Sequence, residues 1–145
     1  MDLTDDERRR YARQLLLGNW DDQAQLQLLR TRGRVPDDAD GGSASVALDY
    51  LQRAGLGQRV PAADDSQEDD RPELILELPT AREVDAKAGD PSLRVASAAL
   101  LGALSAVEAI KQAGGVGGAG HLHPVPRLTG GDPASVGQPS STEAT

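Results

Sequence analysis

The chain contains no cysteine and no phenylalanine, and aromatic residues make up only 2% of its 145 residues. Without cysteine, it has no disulfide framework, no thiolate zinc site and no thioester chemistry. Leucine and alanine must then supply most of the buried surface, and alanine buries little area. The 16 glycines and 9 prolines further limit how much of the chain is helix or central strand. These absences predict one small domain with a helical core.

Acidic residues outnumber basic residues, 23 to 15, which gives a formal net charge of −8. Binding to nucleic acid or to an anionic membrane needs clustered lysine and arginine, so this balance argues against both partners. The first ten residues, MDLTDDERRR, lack the apolar core of a signal peptide. The most apolar run, 95–107, is uncharged for only 13 residues and is expected to be too short to span a bilayer. We therefore expect a cytoplasmic protein.

Two helices are predicted near the amino terminus. Thr4 and Glu7 have the spacing of a capping box, which predicts a helix over 5–17. A second helix is expected to begin at Asp21 or Asp22, because a carboxylate there can accept a hydrogen bond from a free backbone N–H. Its narrow apolar stripe consists of Leu26, Leu28 and Leu29.

The central part of the chain predicts an amphipathic helix followed by a linker. Ser43 is expected to cap a helix over 43–54, and the glycine at position 55 is typical of a helix C-terminus. The segment 58–72 is acidic and contains two prolines, so it buries too little surface to offset its ordering entropy. We predict an amino-terminal unit over 1–57 and an acidic linker over 58–72.

The sequence ELILEL, 73–78, is the one convincing strand, and a long apolar helix follows a shorter polar one. Asp90 is expected to cap the long helix, and glycines at 114 and 115 are expected to end it. Small side chains on this helix would let another helix or a sheet approach closely: Ala99, Gly102, Ala103 and Ala106. We predict a second unit over 73–117 and a disordered, glycine-, proline- and serine-rich tail over 118–145.

Three segments, in this order along the chain, carry a resemblance to known proteins. LTDDERRRYARQLLL, from residue 3, is similar to the motif L-S-[DE]-E-x-x-R-Y-x-R-Q-[IL]-[LI]-L. RVPDDADGGSASVALDYLQRAGLG aligns without a gap to a glycine loop and its following helix, R-V-L-V-V-G-A-G-G-L-G-S-P-V-A-L-Y-L-A-x-A-G-V-G. AALLGALSAVEAIKQAGGVG is similar to a late helix that reads G-x-I-G-x-L-Q-A-x-E-A-I-K. Together they resemble the ThiF/MoeB/HesA adenylyltransferases of the ubiquitin-activating-enzyme-like superfamily, over 3–57 and 91–117.

The resemblance implies a fold, an activity and partners. These enzymes use ATP to adenylate the C-terminal glycine of a small ubiquitin-fold sulfur carrier. Their fold is α/β, with a Rossmann-like nucleotide-binding parallel sheet. In this chain we expect a remnant of that fold, predominantly helical with one to three short strands. ATP and Mg²⁺ are the implied cofactors, and the implied partners are a second copy, a full-length family member or a sulfur carrier.

The resemblance also implies candidate nucleotide-binding residues. Arg13 matches the family arginine that reaches across a dimer to the partner's ATP, and the alternative is an ordinary solvated or salt-bridged arginine. Gly41 and Gly42 match two of the four loop glycines and would form a short anion-binding turn, or else an ordinary turn before a helix. Asp64 falls near the acidic residue that contacts the ribose, within the predicted linker.

No catalytic residue and no metal site is assigned from the sequence. His121 and His123 form an H-x-H pair, but a zinc site needs further ligands and none is arranged nearby. The acidic run 64–70 lacks the glycine and the spacing of a calcium loop, so a solvated linker is the preferred interpretation.

Several family features are absent from the sequence. The first strand would fall on 35–38, Val-Pro-Asp-Asp, where two carboxylates must either be desolvated or stay outside the core. Asp40 places negative charge beside the expected phosphate, and the Asn-Arg-Gln motif, the catalytic lysine and the magnesium aspartate are not found. We therefore predict a degenerate, non-catalytic binding or accessory subunit that pairs with itself or with a full-length adenylyltransferase. The alternatives are an active ATP-dependent adenylyltransferase and a nonfunctional product of internal deletion.

Overall fold

The structure, a computed structural model, describes residues 2–59 and 71–116. Asp64, the acidic run and the predicted tail lie outside these residues. The described part is mostly helical and contains a two-stranded parallel sheet. In chain order its elements are α1 (Asp5–Arg10), α2 (Ala12–Leu15), α3 (Asp22–Arg30), β1 (Arg32–Arg34), α4 (Gly41–Ala54), β2 (Glu73–Ile75), α5 (Ala81–Ala88), a 3₁₀ turn (Pro91–Leu93) and α6 (Arg94–Gly114).

The first predicted helix is two short helices that meet at Tyr11. The capping box is confirmed, because the Thr4 hydroxyl accepts from the Glu7 N–H while the Glu7 carboxylate accepts from the Thr4 N–H. The predicted continuous helix over 5–17 is wrong, since α1 ends at Arg10 and α2 at Leu15. The Tyr11 side chain at the junction is buried in a cluster with Leu3, Leu26 and Leu29.

The second helix, α3, begins as predicted and carries a buried polar residue in the core. Asp21 caps it, with Oδ1 accepting from the Ala24 N–H at 2.8 Å, and the predicted leucine stripe is buried. Gln25 is fully buried, but its amide accepts from Trp20 Nε1 at 2.9 Å and donates to the Ala54 carbonyl at 3.0 Å. Because both of its amide atoms are paired, Gln25 joins α3 to the end of α4 without an unsatisfied polar group.

The two strands pair in parallel, with Arg32 opposite Glu73 and Arg34 opposite Ile75. Only the first half of ELILEL forms β2, because its partner strand is three residues long and Pro36, two residues after that strand, has no N–H to donate. The family strand expected over 35–38 is also misplaced, since β1 ends at Arg34. Asp37 and Asp38 lie exposed in the turn after it, which removes the desolvation cost.

Helix α4 connects the two parallel strands and packs along α6. Its buried side chains join the main core cluster, which consists of Ala47, Leu51, Leu76, Ala106 and Ala109. The predicted end of α4 is confirmed, because Gly55 has a φ of 106° and caps the helix in the left-handed region that favours glycine. The predicted close approach is seen at Gly102, where an added Cβ would overlap the Ser43 backbone.

Helix α6 is longer and more apolar than its uncharged core suggests. With its 3₁₀ turn it runs from Pro91 to Gly114, 24 residues, with a mean hydropathy of 1.6 in its most apolar 18-residue window. Among the described helices, it is long and apolar enough to span a membrane, by length and composition alone. The prediction that this apolar segment is too short to cross a bilayer is therefore wrong about its length. One side of α6 is packed on α4, and 28% of that window is buried.

Candidate functional site at the start of α4

The two candidate glycines lie in the first turn of α4 and do not form a loop before it. Gly41 and Gly42 are the first two residues of the helix, and Asp40 is its N-cap. The prediction that Ser43 caps this helix is therefore wrong. Asp40 takes that position because its carboxylate reaches the Ser43 N–H, the free donor three residues ahead.

The Asp40 carboxylate is held at the amino-terminal end of α4 by two charge-assisted hydrogen bonds. Its Oδ2 accepts from the Ser43 N–H at 2.9 Å, and its Oδ1 accepts from Arg94 Nη2 at 2.7 Å. The Asp40 N–H donates to the Pro79 carbonyl at 2.7 Å, which anchors its backbone as well. Only 4% of the Asp40 surface is exposed. The N-terminus of α4 thus carries its own buried anion.

The electrostatics of this site favour the ionised form of Asp40. The hydrogen bond from the Ser43 N–H, followed by that from Arg94, holds the pKa of Asp40 below its ordinary value of 3.8, although burial opposes the shift. Hydrogen bonds to Asp40 and Asp85 raise the pKa of Arg94. The partial positive charge at a helix N-terminus attracts an anion. Here the Asp40 carboxylate of the chain itself is that anion.

Helix α6 covers one side of the same site. Ser43 is fully buried, and its Oγ donates to the Ala98 carbonyl at 3.0 Å. A Cβ added to Gly42 would lie 3.2 Å from Asp40 Oδ2 and 3.4 Å from the Ala98 Cβ. A Cβ added to Gly41 would meet nothing within 4 Å, so this position faces open space. The first turn of α4 is therefore closed by Asp40 and α6 on one side and open at Gly41.

The remaining candidate residues do not meet at this site. The Arg13 side chain lies exposed on α2 and forms no hydrogen bond or ion pair with Gly41, Gly42 or any other described residue. Asp64 is outside the described residues. The alternative interpretation of Arg13 as an exposed helix arginine fits this chain alone, whereas the family role needs a second subunit.

A groove of about 620 Å³ lies between α3, the start of β2 and the end of α6, and Gln27, Thr31, Glu73 and Gln112 line part of it. It is at the amino-terminal end of the sheet, because Thr31 directly precedes β1 and Glu73 begins β2. Ligands of open parallel sheets bind outside the carboxyl ends of the strands. The groove is therefore not at the position that the resemblance assigns to ATP.

No group of three or more histidine, aspartate or glutamate side chains is placed to hold a metal ion within 2–59 and 71–116. His121 and His123 fall outside those ranges. The implied Mg²⁺ therefore has no cluster of ligands in the part of the chain that the structure describes.

Sequence reasoning missed two features of this site. Asp40 as the N-cap had a local signal, because aspartate three residues before a free N–H is a preferred cap. Arg94 as its partner had none, since 54 residues separate the two side chains and only the packing of α6 on α4 joins them.

No family model, no curated protein and no solved structure matches this chain.

Proposed function

We propose that this chain is a degenerate relative of the ThiF/MoeB adenylyltransferases that has lost adenylation. In this proposal it acts in the cytoplasm as a non-catalytic binding or accessory subunit, pairing with itself or with a full-length family member. Activation of a ubiquitin-fold sulfur carrier would then belong to the partner subunit.

The observation that carries the proposal is the buried Asp40 carboxylate at the start of α4. In a nucleotide-binding α/β unit, a phosphate occupies the N-terminus of the helix that follows the first strand. Here β1, α4 and β2 form a parallel strand–helix–strand unit, and Asp40 occupies that N-terminus with Arg94 as its counter-ion. A phosphate would meet a like charge there and would have to displace two hydrogen bonds.

The second support is Arg13, whose exposed side chain has no partner among the described residues and is free to contact another subunit. In the family, the equivalent arginine serves the ATP of a dimer partner. An accessory subunit could therefore lack a phosphate site of its own and still contribute this arginine to the ATP site of its partner.

The first test is calorimetric titration of the purified chain with Mg-ATP. We expect no heat of binding at millimolar nucleotide from a protein that is folded by circular dichroism. Binding that is lost in Arg13→Ala but retained in Arg9→Ala, an exposed arginine of the same region, would overturn the proposal. ATP–pyrophosphate exchange with a ubiquitin-fold carrier would then support the alternative, an active adenylyltransferase.

The second test addresses pairing, by native mass spectrometry of the chain alone and mixed with a full-length ThiF/MoeB-type adenylyltransferase. We expect a homodimer or a heterodimer, and we expect Arg13→Ala to leave pairing intact while lowering adenylation by the heterodimer. A chain that stays monomeric in both samples contradicts the accessory role.

A further inference from the structure

Helix α6 has a second apolar face, opposite the one that packs on α4. Three large side chains on this face are about half exposed: Leu93, in the 3₁₀ turn that leads into α6, at 53%, and Leu100 and Val107 of α6 at 52% and 47%. Between them lie Ala96, which is exposed, and Ala103, which is partly buried. We call these five residues the α6 stripe. About half of the surface of each large side chain is left uncovered by residues 2–59 and 71–116.

The spacing of the α6 stripe is that of a coiled-coil seam. Its large residues recur every seven positions, and alanine lies at the intermediate positions, three after each of the first two large ones. A seven-residue repeat with intervening apolar residues keeps one face of a helix toward a partner helix. Alanine at alternate positions lets two such helices approach closely, since interaxial distance depends on the side chains at the contact.

The three large residues of the stripe are spaced symmetrically about Leu100. Leu93 lies seven residues before it and Val107 seven residues after it. Two antiparallel copies of α6 would therefore place Leu100 near Leu100 of the second copy, and Leu93 near its Val107. Such an arrangement is isologous, because the same patch is used on both subunits around a two-fold axis.

Charges at the two ends of the stripe favour this antiparallel arrangement. The exposed Asp90 lies at its amino-terminal end. Lys111 lies at its carboxyl-terminal end, 40% exposed, where Nζ also bonds Glu108 at 2.9 Å. Positions 95–107 between them carry no charge. Antiparallel pairing brings Asp90 of each copy toward Lys111 of the other, whereas parallel pairing would bring like charges together.

We propose that the α6 stripe is a homodimer interface, in which two copies of this chain pair through antiparallel α6 helices centred near Leu100. The inference deepens the self-pairing part of the proposed function and rests on it. The occupant is a second copy because the equal spacing of the three large residues and the opposite charges at the two ends suit the same helix in reverse orientation.

The test uses the full chain and single cysteine substitutions, since the sequence contains no cysteine. With a short bis-maleimide, we expect Leu100→Cys to cross-link to itself. Leu93→Cys should not self-link, because two antiparallel copies would hold those positions about 21 Å apart along the helix axis. In a mixture of the two variants, however, Leu93→Cys should cross-link to Val107→Cys. Val95→Cys is the control, since Val95 is 80% exposed on the same helix but lies off the stripe.

Sedimentation equilibrium measures the affinity. We expect the unmodified chain to dimerise and Leu100→Glu to raise the dimer Kd at least about tenfold, because two like charges would meet at the two-fold axis. Val95→Glu should leave the Kd unchanged. Fluorescence of the buried Trp20, which contacts Gly114 of α6, checks that each variant is folded.

Other outcomes overturn the interface in distinguishable ways. Self-linking of Leu93→Cys would indicate parallel pairing, and a monomer at all concentrations would exclude self-pairing. Co-sedimentation of the monomer with phospholipid vesicles, lost in Leu100→Glu, would assign the stripe to a membrane. A monomer that still binds a full-length adenylyltransferase would overturn only this interface. Binding of Mg-ATP by the dimer would overturn the non-catalytic role but not the interface.

Discussion

Gly102 of α6 lies directly against the backbone of Ser43 in the first turn of α4, so closely that a Cβ on Gly102 would overlap the Ser43 carbonyl group. At the same crossing the Ser43 hydroxyl donates to the Ala98 carbonyl at 3.0 Å. The two helices that carry most of the core therefore meet backbone to backbone, at the start of the helix where Asp40 is held. The packing of α6 on α4 and the geometry of the candidate site therefore depend on the same crossing.

Gly102→Ala is expected to destabilise the chain by about 1 to 3 kcal/mol, because the neighbouring atoms are backbone and the helices must separate to admit a methyl group. Urea unfolding followed by Trp20 fluorescence measures the change. Gly41→Ala is the matched control in a helix, since its Cβ would meet nothing within 4 Å. We expect it to be neutral or to stabilise by a few tenths of a kcal/mol. Equal losses in both variants would contradict the close approach.

Gly55→Ala should cost more than Gly89→Ala, although both glycines have positive φ angles, 106° and 69°. At Gly89 an added Cβ would meet open space, so only the backbone strain of about 1 kcal/mol applies. At Gly55 the Cβ would also lie 2.8 Å from the Tyr11 hydroxyl oxygen. Tyr11→Phe should therefore recover part of the loss in a double-mutant cycle, measured by thermal unfolding. Additive losses would mean that the hydroxyl contact does not contribute.

The stability of the chain should depend on Asp40 in acid. Because its pKa is lower in the fold than its ordinary 3.8, the unfolded chain binds a proton first as the pH falls. This contribution is complete above the unfolded pKa and is lost as the pH falls through the folded pKa, which lies below 3.8.

Asp40→Asn keeps a good N-cap but loses the charge, so it should lower the free energy of unfolding at pH 7 by about 1 kcal/mol and flatten its acid dependence. Asp37→Asn, in the exposed turn before it, is the control and should leave the profile unchanged. Chemical unfolding at a series of pH values measures both. An unaltered profile for Asp40→Asn would contradict the pairing with Arg94.

An ion pair closes the amino-terminal cluster. Arg59 donates to the Glu7 carboxylate through Nη2 at 2.7 Å and Nε at 3.1 Å, and through Nη2 to the Asp2 carbonyl at 3.0 Å. Burial opposes ionisation of Glu7, but hydrogen bonds from the Thr4 N–H and Arg59 still lower its pKa. The pair is largely shielded from solvent, so it should contribute more than an exposed pair.

Arg59→Gln should therefore lower the free energy of unfolding by about 1 to 2 kcal/mol. Arg53→Gln, which breaks an exposed i,i+4 pair with Asp49, should cost only about 0.3 to 0.5 kcal/mol. Urea unfolding in low and high salt measures both, and the Arg59 effect should be the less sensitive to salt. A reversed order would show that the Arg59 contacts are not maintained in solution.

Local sequence signals predicted several helix ends. The Thr4 capping box, the Asp21 cap and the Gly55 C-cap were confirmed, because each depends on hydrogen bonds within a few residues of the chain. The predicted start of α4 failed where two local signals compete, since both Asp40 and Ser43 are good caps. Besides its local bond from the Ser43 N–H, the Asp40 carboxylate is favoured by the three-dimensional position of Arg94.

The candidate site followed from the sequence only in part. The resemblance predicted Gly41 and Gly42 as site residues, and both lie at the N-terminus of α4. It did not indicate that Asp40 would occupy that N-terminus, nor that Arg94 would lie beside it. Long-range pairs of this kind have no spacing signal, because their separation along the chain is set by whatever elements lie between them.

The sequence by itself determined the mostly helical composition and several of the caps, because propensity and capping act over a few residues. The tertiary structure decided which residues became β1, since a strand exists only where a partner offers its hydrogen bonds and ELILEL found one in Arg32–Arg34. It also decided that one face of α6 is buried against α4 while the opposite face, centred on Leu100, remains exposed. Both faces are apolar in sequence, and only packing distinguishes them.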